Sequence, residues 1–468
     1  MAADNGDDND GQHHLPPRLH IDPPLFNSAN PWATTLEQLR ELYRCPATGA
    51  VTTRTALLEE GFPHDEAVHR FAFFEVGGHR VVEGGQDREE GKGEEGGVDK
   101  KGDRAARDER VGEANASLNT LGYSPIPLEG YLGFIRQIDR EENGGGEVEV
   151  VAGAEEGDGG KVGDDETKRG EKEKRDGEME NGKEKSKKKK RKPFIVSVTG
   201  TPDEVAECYR RIARTAAAAA AAAREEVKAG LAMEVNLSCP NIPGKPPPAY
   251  EAEALRGYVR RVAEVAREME VEMGRGRGRG RGRENSVPWG LKTPPYTHAG
   301  QFEMFVRTLR ECALPLPRGE GADGGGVGVG GVGGGGADRV RKVCPISFVT
   351  ATNTLGSCLL LNTDRGNNDN DGIPPTPALP GLGIGGLAGA PLHPLALGNV
   401  ATLRRMLDQT PETAHVALLG IGGVGDADGF RRMRSVGADA VGVGTALGVR
   451  GVGVFGEIEG GLGGDWGV

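Results

Sequence analysis

The chain has 468 residues and a net charge of −12, from 58 Lys+Arg against 70 Asp+Glu. That acidic balance argues against a nucleic-acid binder, and no run of about 18 apolar residues is present to cross a membrane. Glycine fills 77 positions, more than twice the usual share of about 7%.

The excess glycine and charge collect in six segments: 1–17, 83–114, 140–192, 269–286, 318–340 and 363–374. Their compositions cannot offset their own ordering entropy, so a disordered tail and five disordered insertions are expected. The remaining residues, roughly 310, suit one domain over 18–468 of the size of an α/β barrel. The acidic start, MAADNGDDNDGQHH, carries no secretory or transit signal. The six cysteines (45, 208, 239, 312, 344 and 358) form no CxxC pair, so no metal site is expected and a reducing, cytoplasmic setting is. KSKKKKRK (185–192) and GRGRGRGRGR (274–283) read more simply as solvated insertions than as import or RNA-binding signals.

Between the insertions, strand-like runs occur at 49–53, 116–119, 194–199, 232–237, 289–292, 346–352, 415–420 and 440–444. Helical patterns occupy 202–229, 250–270, 299–311 and 426–437; the first opens with a proline and has Gly230 just past its end. Eight strands, several followed by helices, predict an α/β fold of the (β/α)8 TIM-barrel type.

In such a barrel the chemistry sits at the C-terminal ends of the strands. The first predicted strand leads to Arg54, the second to Asn119 and the fourth to Asn236, Ser238 and Cys239. The fifth ends in Lys292 and the sixth in Asn353 and Thr354. The last two finish in Gly422-Gly423 and Gly444-Thr445. Glycines there let backbone N–H groups approach a phosphate. Asparagines suit a ring carrying both C=O and N–H, lysine an electron-rich ring edge, and cysteine can accept a proton as thiolate. Singly, each is more often a cap, a turn or a core residue. Their joint occurrence at successive strand ends points to a phosphate-bearing cofactor and a small ring substrate.

The run NLSCPNIPGKP (236–246) resembles the signature of the cytosolic, fumarate-linked class 1A dihydroorotate dehydrogenases. In order along the chain, NSAN-PW-ATTLEQL (27–39), SLNTLG (117–122), GLKTPPY (290–296), TNTLG (352–356), GGLAGAPLHPLALGNV (385–400), GIGGVGDADGF (420–430) and GVGTAL (442–447) resemble further family segments. The resemblance implies oxidation of dihydroorotate to orotate in pyrimidine biosynthesis by a homodimer with bound FMN, with fumarate taking the electrons to become succinate. It implies that Cys239 removes the C5 proton while hydride leaves C6 for the flavin. Asn119, Asn236, Asn241, Asn353, Thr354 and Arg54 would hold the substrate. Ser28, Ala29, Arg54, Lys292, Gly386, Gly422, Gly423, Gly444 and Thr445 would hold FMN, the last four at its phosphate. The loop with Pro240, Pro243 and Gly244 resembles a lid over the substrate. Two positions depart from the family: Arg54 stands where Lys is usual, and Asn30 where Gly is usual. They leave open a paralogue acting on a related dihydropyrimidine or enoate, or a non-catalytic flavin barrel.

Overall fold

The structure, a computed structural model, describes residues 15–65, 67–77, 80–86, 114–143, 191–222, 230–238, 247–274, 286–316, 341–362 and 375–467. Among these, strands are β1 (Leu25–Asn27), β2 (Val51–Thr52), β3 (Arg70–Glu75), β4 (Arg80–Gln86), β5 (Ala116–Asn119), β6 (Phe194–Val198), β7 (Leu231–Asn236), β8 (Trp289–Lys292), β9 (Phe348–Ala351), β10 (Leu355–Leu359), β11 (Ile384–Gly389), β12 (Ala417–Ile421) and β13 (Ala440–Val443). Two further ribbons pair only two residues per strand.

The predicted barrel is present. Eight parallel strands run in the order β1-β13-β12-β9-β8-β7-β6-β2, and a parallel bridge between Phe26 and Ala50 brings the two ends together. One expected strand does not belong to it. Residues 116–119 form β5 in a separate antiparallel sheet, ordered β10-β11-β5-β3-β4, and β1 takes the vacated place in the barrel. An apolar run of four residues carries no period that separates the two settings.

Helices cover the barrel as the alternation predicts. They are α1 (Leu36–Arg44), α2 (Leu128–Asn143), α3 (Pro202–Ala222), α4 (Ala252–Gly274), α5 (Ala299–Glu311), α6 (His393–Asp408), α7 (Ala427–Ser435), α8 (Thr445–Arg450) and α9 (Gly453–Leu462). Each turns apolar residues inward: on α5 these are Phe302, Phe305, Val306 and Leu309. Thr35 caps α1 in a reciprocal box with Gln38, fixing the turn that follows residues 28–33.

Several expected insertion limits move. Residues 83–86 complete β4, 140–143 end α2 and 269–274 end α4 with Met269 buried. Residues 15–17, 114, 191–192 and 286 are also described. The rest of the expected tail and insertions, and residues 223–229 of the first helical pattern, lie outside the described residues.

Two layers fill the barrel. Phe26, Ala50, Ile195, Ala232, Phe348, Leu419, Ile421 and Ala440 form an inner cluster, with Leu19 and Ile21 packed against it. Strand alternation then places Thr52, Ser197, Glu234 and Thr350, two residues further on, in a polar layer toward the C-terminal ends. Above it lies the site.

Candidate active site

A cavity opens where the barrel's C-terminal ends meet the antiparallel sheet. Its wall includes Ser28, Ala29, Arg54, Asn119, Asn236 and Lys292, together with Asn353, Thr354, Gly422, Gly423, Gly444 and Thr445. Twelve expected site residues from across the sequence therefore face one space. Gly386 stands off the wall on β11, where its carbonyl accepts from the Asn119 amide at 3.3 Å. Cys239, Asn241 and the expected lid with Pro240, Pro243 and Gly244 lie outside the described residues.

Asn119 comes from the antiparallel sheet rather than from a barrel strand, so that sheet forms one wall of the cavity. The aromatics of β3 help seat it. Trp32 stacks on Phe73 with ring centroids 5.2 Å apart and meets Phe71 edge-on at 5.9 Å. Trp32 and Phe71 both line the cavity, as do Thr55, Ser117, Tyr123 and Thr352. The sequence reading missed these six. Trp32 sits within the matched PW pair, whereas Phe71 lies on a strand carrying no motif.

The glycine end of the site has a definite shape. Gly422 and Gly423 adopt φ of +128° and +71°, where a side chain would be strained. A Cβ on Gly423 would also come within 2.6 Å of the Gly389 carbonyl oxygen. His393 fixes this turn. Arg432 donates to His393 Nε2 at 3.1 Å, which leaves Nδ1 to donate to the Gly422 carbonyl at 2.8 Å. The Ser117 and Thr445 hydroxyls lie 3.0 Å apart and tie the antiparallel sheet to the start of α8.

On the neighbouring strand end, the Asn353 amide donates to Ser238 Oγ at 2.9 Å and to Asn236 Oδ1 at 3.3 Å. The Thr354 N–H returns to Asn353 Oδ1 at 2.8 Å. Arg54 Nη2 lies 3.2 Å from His64 Nε2, so this arginine has a neighbour ten residues on. Asn30 is extended, with φ of −156°, and its side chain caps the turn at Pro31–Ala33 by accepting from Trp32 N–H. The backbone there does not require glycine.

Three charged side chains are buried among the described residues: Arg54, Glu234 and Lys292. Lys292, only 3% exposed, makes no hydrogen bond or ion pair with any of them. The Thr352 hydroxyl in the wall is likewise buried without a partner among them. Two cations against one anion, with spare donors, form a site that favours an anionic ligand. The other cysteines differ in kind: burial pushes the Cys208 and Cys344 thiols up to about 12, which makes them inert core groups. No group of three metal-ligating side chains occurs among the described residues. No helix among them is long and apolar enough to span a membrane.

Fold and site together define a (β/α)8 barrel with an anion-favouring cavity at its catalytic face. Residues 336–464 match the family model described as Dihydroorotate dehydrogenase. The dihydroorotate dehydrogenase (fumarate) of Trypanosoma cruzi (strain CL Brener) is 29% identical over 272 residues, 58% of this chain and 62% of that protein. Its counterpart in Trypanosoma brucei brucei is 27% identical over 58% of this chain and 63% of the relative. The dihydroorotate dehydrogenase A (fumarate) of Lactococcus lactis subsp. lactis is 25% identical over 48% and 52%. The chain thus spans between 52% and 63% of these relatives' lengths. A crystal structure of ligand-free type DHODH from Eimeria tenella aligns with a TM-score of 0.51 at 13% identity, covering 95% of this chain and 86% of that one. This last likeness concerns the fold. By sequence, the chain resembles the fumarate-type dihydroorotate dehydrogenases, as its motifs imply.

Proposed function

We propose that the chain is an FMN-dependent dihydroorotate dehydrogenase, acting in pyrimidine biosynthesis with fumarate as acceptor. The observation that carries the reading is the meeting of Arg54, Lys292, Asn119, Asn236 and Asn353 in one cavity with the Gly422-Gly423 turn.

The residues present fit the cofactor. Gly422 and Gly423, at positive φ, present a side-chain-free backbone to the cavity, and the buried Thr352 hydroxyl without a partner among the described residues and the Lys292 ammonium line the same cavity as donors. Bound FMN would supply a two-electron acceptor. Gly422, Gly423, Gly444 and Thr445 would hold its phosphate, Ser28, Ala29 and Gly386 would lie along it, and Lys292 would face its ring.

The amides of Asn119, Asn236, Asn353 and Asn241, with Thr354, would orient the substrate ring and carboxylate. Arg54 would add positive charge between substrate and cofactor. Cys239 would take the C5 proton, leaving the C6 hydride to depart, so that dihydroorotate loses one proton and one hydride, two protons and two electrons in all. The lid at 240–244 would exclude water.

The proposal includes a cytoplasmic homodimer built from one domain over 18–468. Leu382 and Ile384 stand 81% and 50% exposed near β10, an edge strand, which supports pairing of two copies there. Sedimentation at the mass of a single chain would remove that part.

Cys239→Ala tests the chemistry. The variant is expected to retain FMN but to lose most flavin reduction by dihydroorotate near neutral pH. Full anaerobic reduction would remove the assigned base.

A further inference from the structure

Gly422 and Gly423 both line the cavity at positive φ. A peptide between two glycines turns over at little steric cost, so its direction has to be set from outside. Among the described residues the Gly422 carbonyl accepts one hydrogen bond, from His393 Nδ1 at 2.8 Å, and the Gly423 N–H donates to no acceptor. His393 is buried, stands outside the cavity wall and opens α6 as its first residue. It packs directly on the turn: a Cβ on Gly423 would lie 2.7 Å from the His393 Cβ.

The sense of this contact is fixed from both ends. The Arg432 guanidinium on α7 can only donate, and it occupies the lone pair of His393 Nε2 at 3.1 Å; the Gly422 carbonyl can only accept. The proton therefore sits on Nδ1, and the Gly422 oxygen is drawn toward α6. The Gly422–Gly423 peptide is trans, so its N–H points the opposite way from its C=O. With the oxygen held outside the wall, the Gly423 N–H faces the cavity as a donor. A turned-over peptide would present its oxygen there instead, and an oxygen repels the anion that an N–H binds.

We propose that His393 is a positioning residue for a phosphate monoester, the group that ends FMN. It holds the Gly422–Gly423 peptide with its N–H toward the cavity, and Arg432 braces the imidazole from the far side. This deepens the proposed reading of the glycine turn as the cofactor's phosphate site and rests on it.

Quenching of flavin fluorescence tests it, by titrating the full-length protein, freed of bound flavin, with FMN and with riboflavin, which lacks the phosphate. His393→Phe keeps a flat ring without a donor. It is expected to weaken FMN about tenfold and riboflavin by less than about twofold. His393→Asn returns an amide N–H near the place of Nδ1 and is expected to hold FMN within about threefold of the unaltered protein. Arg432→Met keeps the donor and removes its brace, so FMN is expected to weaken about threefold with riboflavin unchanged. That variant decides the question if His393→Phe does not fold. Unchanged FMN affinity in the deciding variant, or equal losses for the two flavins, would overturn the proposal. So would a folded His393→Asn as impaired as His393→Phe, because the N–H would then not be what matters. An unaltered protein that binds FMN no more tightly than riboflavin would instead overturn the reading of the turn as a phosphate site.

Discussion

The side chain of Asn27 pairs with the backbone of Thr52 as one peptide pairs with another. Its amide donates to the Thr52 carbonyl at 2.6 Å, and its oxygen accepts from the Thr52 N–H at 2.9 Å. The two strands involved are only three and two residues long. Besides this pair, the seam shows the Gly49 N–H bonded to the Leu25 carbonyl at 2.7 Å. The barrel is thus closed partly by a side chain, two residues before Arg54.

Asn27→Ala would strand a buried N–H and a buried carbonyl on Thr52. The expected cost is about 3 kcal/mol, from roughly 1–3 kcal/mol per unsatisfied group. Denaturant unfolding measures it, and a loss of a few tenths would mean that the seam is held elsewhere.

Lys292 bears on binding and stability with opposite signs. The side chain is 3% exposed and lines the cavity beside the buried Arg54, so Lys292→Met removes one of two neighbouring positive charges from the apoprotein. The apoprotein is expected to melt higher while affinity for FMN falls, by about tenfold on the scale of a hydrogen bond to a charged group. An apoprotein that melts lower would show that Lys292 has a structural partner.

His415 predicts a pH dependence. Burial holds its imidazole below the ordinary value of 6.5, with Arg341 and Arg18 adding to the effect, while backbone contacts at Ile346 and Cys344 push the other way. The unfolded chain therefore binds the proton more readily. Stability is fully present above about 6.5 and is lost as pH falls from there through the depressed native value. Thermal midpoints across this range should flatten in His415→Gln; an identical slope would assign the dependence to other groups.

Much of the barrel was legible because long elements carry a period. The helix expected at 299–311 is α5 to the residue, and six of the eight expected runs contain barrel strands alongside 49–53 as a seventh. The eighth run, 116–119, was too short to reveal its partners. Leu25–Asn27 was shorter still, and half its closure comes from an amide that no strand pattern registers. The site was legible where a residue type carries chemistry, as at Lys292 and the asparagines. It was illegible where role depends on neighbours across the fold: Phe71 against Trp32, His64 beside Arg54, and Ser197 beneath Thr55.

The most direct test is an anaerobic absorption spectrum of the purified full-length protein before and after adding L-dihydroorotate. The account predicts an oxidised flavin spectrum that bleaches on addition. A flavin that stays oxidised would contradict dihydroorotate as substrate, and a protein unable to bind FMN would contradict the cofactor as well.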